Sequence, residues 1–180
     1  MLKLPMTELD WCNEAHAWQQ LTLPDATGKP KWIFQNDLYR RLFASREIAS
    51  LGHEWYTHEA FRDSTCREGI ERVQRETDNF LSDLGYRRLE GEGIYEATCP
   101  NDDRVALFAH QGFGLAFLSC LFHIPYPTVT SYFDMTHTGM TVIELEARDG
   151  IAIPKMLQLS NDSHLYRDGI LTGYQNRIRF

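Results

Sequence analysis

The sequence lacks the features that mark several large classes of protein. Its four cysteines form neither a Cys-x-x-Cys pair nor another metal-ligand spacing, so neither a disulfide framework nor a zinc site is indicated. The longest apolar run, residues 113–122, falls far short of the roughly 20 residues that cross a bilayer. No signal peptide begins at Met1. We therefore expect a cytoplasmic protein with reduced thiols, no metal and no membrane partner.

A basic surface is missing as well. Acidic and basic residues are interspersed along the chain, and the formal net charge is -7. No basic stripe is available to follow a phosphate backbone, so nucleic acid is not expected as a partner. No repeat or linker-like run interrupts the sequence, and its hydrophobic content of 43% is that of an ordinary folded domain. These observations predict a single domain over residues 1–180.

Hydrophobic periodicity predicts an α/β domain in which helices pack on a sheet. The clearest helix runs from Cys66 to Leu84, where apolar residues recur at three- and four-residue steps. A continuous apolar run at 104–109 predicts a strand buried on both faces. The other predicted features are a helix at 114–123, strands at 140–146 and 151–159, turns at 25–30 and 148–150, and helix caps at Asp37 and Ser45.

His110 lies where the predicted strand 104–109 ends and the next helix begins. This junction is where open α/β sheets bind ligands. A helix N-terminus offers unpaired N–H groups and the positive end of a dipole, so the amides near Gln111 and Gly112 are candidates for holding a phosphate, with His110 donating to its oxygens. The alternative is a structural histidine that bonds only to a neighbouring loop.

The segment Val105-Ala-Leu-Phe-Ala-His110-Gln-Gly112, followed by an apolar helix and Ile124-Pro125, resembles the second-histidine motif of the histidine phosphatase superfamily, of the phosphoglycerate mutase type. Residues 68–84 resemble the helix that precedes this motif in the family. Residues 139–145 and 157–165, the latter with Asn161-Asp-Ser-His-Leu165, resemble its closing strands and end motif. The resemblance covers roughly residues 6 to 166.

The resemblance implies a phosphate-transfer chemistry in the complete family. There, a first histidine in an Arg-His-Gly motif attacks phosphorus, a second histidine and arginines hold the phosphate oxygens, and a carboxylate passes the proton. By position, His110 is then the second histidine, and Gln111 and Gly112 contact the phosphate, although the family usually has glycine where Gln111 stands. Glu8, in Met6-Thr-Glu8, is the implied general acid/base, with Glu14 as the alternative. No cofactor is implied.

The family's Arg-His-Gly motif does not occur in the 180 residues. We therefore expect an incomplete phosphoglycerate mutase-like sheet, flanked by helices and missing its N-terminal strands, and we expect DNA upstream of Met1 to encode the motif in frame. A chain without this nucleophile should be inactive on its expected ligand, a phosphorylated small molecule or phosphoprotein. The strand ending at His110 would have an exposed edge, which makes a homodimer possible. The alternative function is a non-catalytic phosphate-binding or protein-interaction module.

Two other patterns are weaker than they first look. His53 and His58 flank Glu54-Trp-Tyr-Thr57, but they are five residues apart instead of four and so do not share a helix face. The glycines at Gly91 and Gly93 lack the third glycine and the acidic residue of a dinucleotide site. Neither pattern indicates a metal or cofactor.

Overall fold

The computed structural model describes residues 5–170 and has a mixed α/β architecture, as predicted. Small antiparallel sheets are flanked by helices, and three 3-10 helices lie at Asp10–Cys12, Ile33–Gln35 and Gly52–Thr57. The α-helices are α1 (Glu14–Leu21), α2 (Arg40–Phe43), α3 (Arg46–Leu51), α4 (Cys66–Asp83), α5 (Gln111–Phe122), α6 (Tyr126–Tyr132) and α7 (Ser163–Arg167). The strands are β1 (Thr22–Pro24), β2 (Pro30–Trp32), β3 (Tyr86–Arg88), β4 (Tyr95–Ala97), β5 (Met140–Glu144), β6 (Ala147–Arg148), β7 (Ile151–Ala152) and β8 (Lys155–Asn161).

The strands of the described residues form three separate antiparallel sheets. β1 and β2 make a hairpin, β5 pairs with β8, and the remaining four lie in the order β3-β4-β7-β6. The predicted turn at 148–150 joins β6 to β7, with Asp149 and Gly150 both at positive φ, as a tight hairpin requires. The strand predicted at 151–159 is divided into β7 and β8 around Pro154, which has no N–H to donate to a ladder.

Helix α4 matches its prediction to within one residue. Its inward stripe includes Val73, Thr77 and Leu81, all buried, while charged residues face outward. Gly85 follows at a φ of 89°, a left-handed conformation that glycine adopts without strain and that ends the helix.

Helix α5 is buried almost all round and joins the parts of the core. Its residues Phe113, Ala116 and Cys120 belong to the main aromatic cluster, which α1, α4 and the 32–61 region complete. Leu121 packs with the four-stranded sheet, and Leu115 packs with α6 and the β5–β8 pair. The helix starts three residues earlier than predicted, directly after His110.

The prediction of a buried strand at 104–109 is wrong. Residues 101–110 form no helix or strand and run exposed along the surface, where Val105 is 54% and Phe108 89% exposed. A strand needs a neighbour to accept its hydrogen bonds, and no other strand of residues 5–170 pairs with this segment. A short apolar run alone does not reveal whether such a neighbour exists.

The smaller local predictions have mixed outcomes. The Asp25 carboxylate accepts hydrogen bonds from the amides of Thr27 and Lys29, which fixes the predicted turn. Ser45 caps α3 through the amide of Ile48. The predicted cap at Asp37 is wrong, because α2 begins only after Tyr39; that leaves Asp37 to pair with exposed cations instead.

Two other features bear on the predicted environment. All four cysteines are free thiols. No helix within residues 5–170 has the length and apolar character that crossing a membrane requires.

Two histidines hold the 3-10 helix at 52–57 against the end of α5. The rings of His53 and His123 stack with centroids 3.9 Å apart. Burial is the largest effect on both rings and lowers the pKa of each. For His53, a hydrogen bond to the His123 backbone and the charge of Glu54 raise the pKa without offsetting burial, and Arg88 lowers it. For His123, His53 and Arg88 also lower the pKa, and Asp78 raises it. The fold therefore favours two neutral rings.

We predict that stability falls as pH is lowered from 7.5 to 5. Unfolded histidines bind protons near a pKa of about 6.5, whereas the folded pair resists protonation until lower pH, so acid favours the unfolded chain. Urea unfolding at the two pH values measures the effect. His53→Gln should lose less stability over this range than the wild-type chain; an equal loss in both would contradict the role of the stack.

Candidate functional site

The start of α5 brings together most of the residues that the sequence singles out. His110 is the N-cap residue, with an extended backbone, and its carbonyl accepts the amide of Gly114 at 2.8 Å. Of the first three amides of the helix, in the described part of the chain, only that of Gly112 has an acceptor: it donates to Oε1 of Glu14 at 2.7 Å. A carboxylate thus lies at the position that the sequence predicts for a phosphate oxygen.

The position of Glu14 is fixed by its surroundings. It is the first residue of α1, which Asn13 caps. Helix α1 is held against α4 by Arg72, which donates to the Gln20 side chain at 2.8 Å and to the Trp11 carbonyl at 3.0 Å. The packing of α1 against α4 therefore places Glu14 at the start of α5.

Close packing explains why residue 112 is glycine. A Cβ at Gly112 would lie 2.2 Å from Cζ2 of Trp32 and 2.7 Å from Oε1 of Glu14. The Trp32 ring has little freedom to retreat, because Trp18 packs edge-on against it and Phe34 stacks on it. The absence of a Cβ at Gly112 leaves the backbone amide open to an anion. The position of the Trp32 ring also requires that absence, because the ring leaves no room for a Cβ there.

A second carboxylate also faces the start of α5. The side-chain Nε2 of Gln111 donates to Oδ1 of Asp134, a residue that follows α6. The same oxygen accepts a hydrogen bond from the backbone amide of Met135 at 2.8 Å. Negative charge at a helix N-terminus is stabilising because it faces the positive end of the helix dipole. Two carboxylates therefore lie at the end of α5 where a ligand anion would bind.

The imidazole of His110 is open to solvent. Its side chain is 78% exposed, and Nδ1 lies 4.0 Å from Oε2 of Glu14. Glu8, the implied acid/base, is exposed and is not an ion-pair partner of His110 among residues 5–170, so its role stays a prediction. The structure instead brings the alternative, Glu14, beside the histidine.

The arrangement places a solvent-exposed imidazole beside a carboxylate at the start of α5. His110 and Glu14 are close enough to share a proton through a small shift of either side chain. Other histidines have partners of their own: His16 bonds to Asp10, His58 bonds to Glu47, and the rings of His53 and His123 stack on each other. Residues 5–170 contain no group of three or more His, Cys, Asp or Glu side chains placed to hold a metal ion.

Sequence reasoning missed Asp134 and ranked Glu14 second. Glu14 is 98 residues away from Gly112, and Asp134 is 23 residues away from Gln111. Neither acidic residue belongs to a local motif, so only knowledge of how α1 and α6 pack would have identified them.

We predict that Gly112→Ala destabilises the fold by about 1–3 kcal/mol, because the added methyl overlaps the indole ring of Trp32. Gly114→Ala is the matched control in the same helix. There the methyl meets only the end of the Met135 side chain, 3.0 Å away, so stability should change by less than about 1 kcal/mol. Denaturant unfolding of the two variants gives the comparison, and equal stabilities would contradict the packing role of Gly112.

No protein-family model matches the chain, and neither a curated protein nor a solved structure shows significant similarity to it. Any proposal about function therefore depends on the residues of the site itself.

Proposed function

We propose that this chain is a phosphoglycerate mutase-like histidine phosphatase domain that binds a phosphate group at His110 and the start of α5 without forming a phosphohistidine. The bound group would be the phosphate of a small molecule or of a phosphoprotein. The observation that carries the proposal is the hydrogen bond from the Gly112 amide to the Glu14 carboxylate. An anionic oxygen already occupies the amide, and His110 lies beside it.

The local architecture supports the family part of the proposal. The segments that resemble the family include the helix before the motif, the helix after it and the closing strands. They fold as α4, α5 and the antiparallel pair of β5 and β8. The phosphoglycerate mutase-like sheet itself belongs to the proposal, because the segment before His110 pairs with no strand of residues 5–170.

The surroundings of His110 support binding without hydrolysis. Phosphohistidine chemistry needs a neutral imidazole in line with the leaving oxygen and a cationic cage around the transferred group. The charged groups facing the start of α5 are instead the carboxylates of Glu14 and Asp134. A phosphate must displace the carboxylate of Glu14, and His110 is the donor that offsets the repulsion.

Hydrolysis of p-nitrophenyl phosphate tests the catalytic part of the proposal. The 180-residue chain should give no turnover above buffer. Activity that disappears in His110→Ala would mean that another residue acts as nucleophile, and the non-catalytic proposal would be wrong.

We predict that Glu14→Gln binds inorganic phosphate roughly tenfold more tightly than the wild-type chain at pH 7, because the variant removes the negative charge that competes for the Gly112 amide. Isothermal titration calorimetry measures both affinities. His110→Ala, which removes the donor beside the amide, should weaken binding several-fold.

Glu59→Gln is the matched control, since it makes the same charge change at an exposed position. Its phosphate affinity should equal that of the wild-type chain. Equal tightening in Glu59→Gln and Glu14→Gln would show a general charge effect, and no binding by any variant at millimolar phosphate would overturn the proposed function.

A further inference from the structure

A cleft of about 250 Å³ lies between the 3-10 helix at 33–35 and the end of α6. It is smaller than the roughly 300–1,000 Å³ pockets that hold drug-sized ligands, so a small group fits it. Its lining includes three aromatic side chains, Phe34, Tyr132 and Phe133, and one charged side chain, Asp134. Aromatic faces together with a carboxylate form an environment that binds ammonium groups.

Two contacts join this cleft to the proposed phosphate site. Asp134 accepts a hydrogen bond from the side chain of Gln111, the first residue of α5. Phe34 stacks on Trp32 with ring centroids 5.8 Å apart, and Trp32 is the ring that leaves no room for a Cβ at Gly112. Only one residue intervenes on each route, so a single small ligand can contact both the cleft and the Gly112 amide.

The charge of Asp134 indicates what such a ligand carries. The hydrogen bonds that it accepts, from Gln111 and from Met135, both go to Oδ1. Among residues 5–170, no cationic side chain forms an ion pair with Asp134. A carboxylate in this position repels a phosphate bound nearby unless the ligand also brings a positive charge.

We propose that the cleft binds the quaternary ammonium group of a free phosphate monoester such as phosphocholine, while the phosphate binds at the Gly112 amide and His110. The three aromatic side chains contact the methyl groups of the ammonium, and Asp134 supplies the opposite charge. A quaternary ammonium group has no N–H to donate, so its recognition depends on the aromatic faces and the charge that this cleft offers. The inference rests on the proposed phosphate binding and names the class of ligand.

Isothermal titration calorimetry on the full chain at pH 7 tests the proposal with phosphocholine and neohexyl phosphate. In the second ester a carbon atom replaces the quaternary nitrogen, so the shape is kept and the positive charge is lost. We expect phosphocholine to bind roughly tenfold more tightly than neohexyl phosphate. Phosphocholine should also bind more tightly than choline or inorganic phosphate alone, because it occupies both positions at once.

Asp134→Asn tests the charge in the cleft. The variant keeps an oxygen for Gln111 and Met135, so the local bonds can remain. Phosphocholine should lose most of its advantage over neohexyl phosphate, whereas inorganic phosphate should bind at least as tightly as it does to the wild-type chain. Asp83→Asn, the same change at the exposed last residue of α4, is the matched control and should leave the preference for phosphocholine unchanged.

Tyr132→Leu tests the aromatic part of the cleft. Because Tyr132 is 70% exposed, we expect the melting temperature to stay nearly unchanged. Phosphocholine should bind about three- to tenfold more weakly, with the affinity for inorganic phosphate unaffected. Tyr166→Leu, at a residue in α7 that is 88% exposed, is the matched control and should bind phosphocholine as the wild-type chain does.

The outcomes separate this inference from the proposed function. Equal affinity of the wild-type chain for phosphocholine and neohexyl phosphate would overturn the inference and leave phosphate binding intact. If inorganic phosphate and both esters fail to bind at millimolar concentration, the proposed function is wrong as well. Phosphatidylcholine vesicles carry the same ammonium group on a lipid diester, and we expect the chain not to sediment with them. Sedimentation with the vesicles that Asp134→Asn abolishes would overturn the assignment to a free monoester.

Discussion

The burial of α5 is the constraint on which the rest of the structure depends. This helix contributes to all three clusters of the core and has almost no face in water. A helix in that position needs partners for its first amides and for the side chains around them, because unmet polar groups cost about 1–3 kcal/mol each when they are buried. Glu14 supplies a partner to the buried Gly112 amide, while the bond from the Gln111 side chain to Asp134 lies at the exposed surface.

Under the proposed function, this arrangement links the stability of the fold to phosphate binding. The features that would attract a phosphate, an open amide and the positive end of a helix dipole, are the same features that hold the Glu14 carboxylate in place. A phosphate at the proposed site would therefore compete with a contact that stabilises the fold. The His110 ring makes no such stabilising contact, since it is largely exposed to solvent and only approaches Glu14. Under the proposed function, it is the residue best placed to favour an incoming phosphate over the Glu14 carboxylate.

The sequence predicts well those elements whose signals are local. The three- and four-residue spacing of α4, the glycine that ends it and the Arg148-Asp149-Gly150 turn each depend on neighbours within a few residues. A helix soon after His110 was also predicted, although it begins three residues earlier than predicted and no strand precedes it in the described chain. By contrast, the apolar run at 104–109 has the composition of a buried strand, but its state depends on whether another strand lies beside it. The partners of Gln111 and Gly112 likewise come from distant segments, so their identities could not be read from local patterns.

The most direct test of the account is the backbone amide of Gly112, followed by NMR while inorganic phosphate is added to the full chain. We predict that its resonance shifts with phosphate and saturates together with the His110 ring signals, because the ligand replaces Glu14 on that amide. A Gly112 resonance that stays fixed while phosphate saturates other parts of the chain would contradict the proposed site. So would the absence of any response at millimolar phosphate.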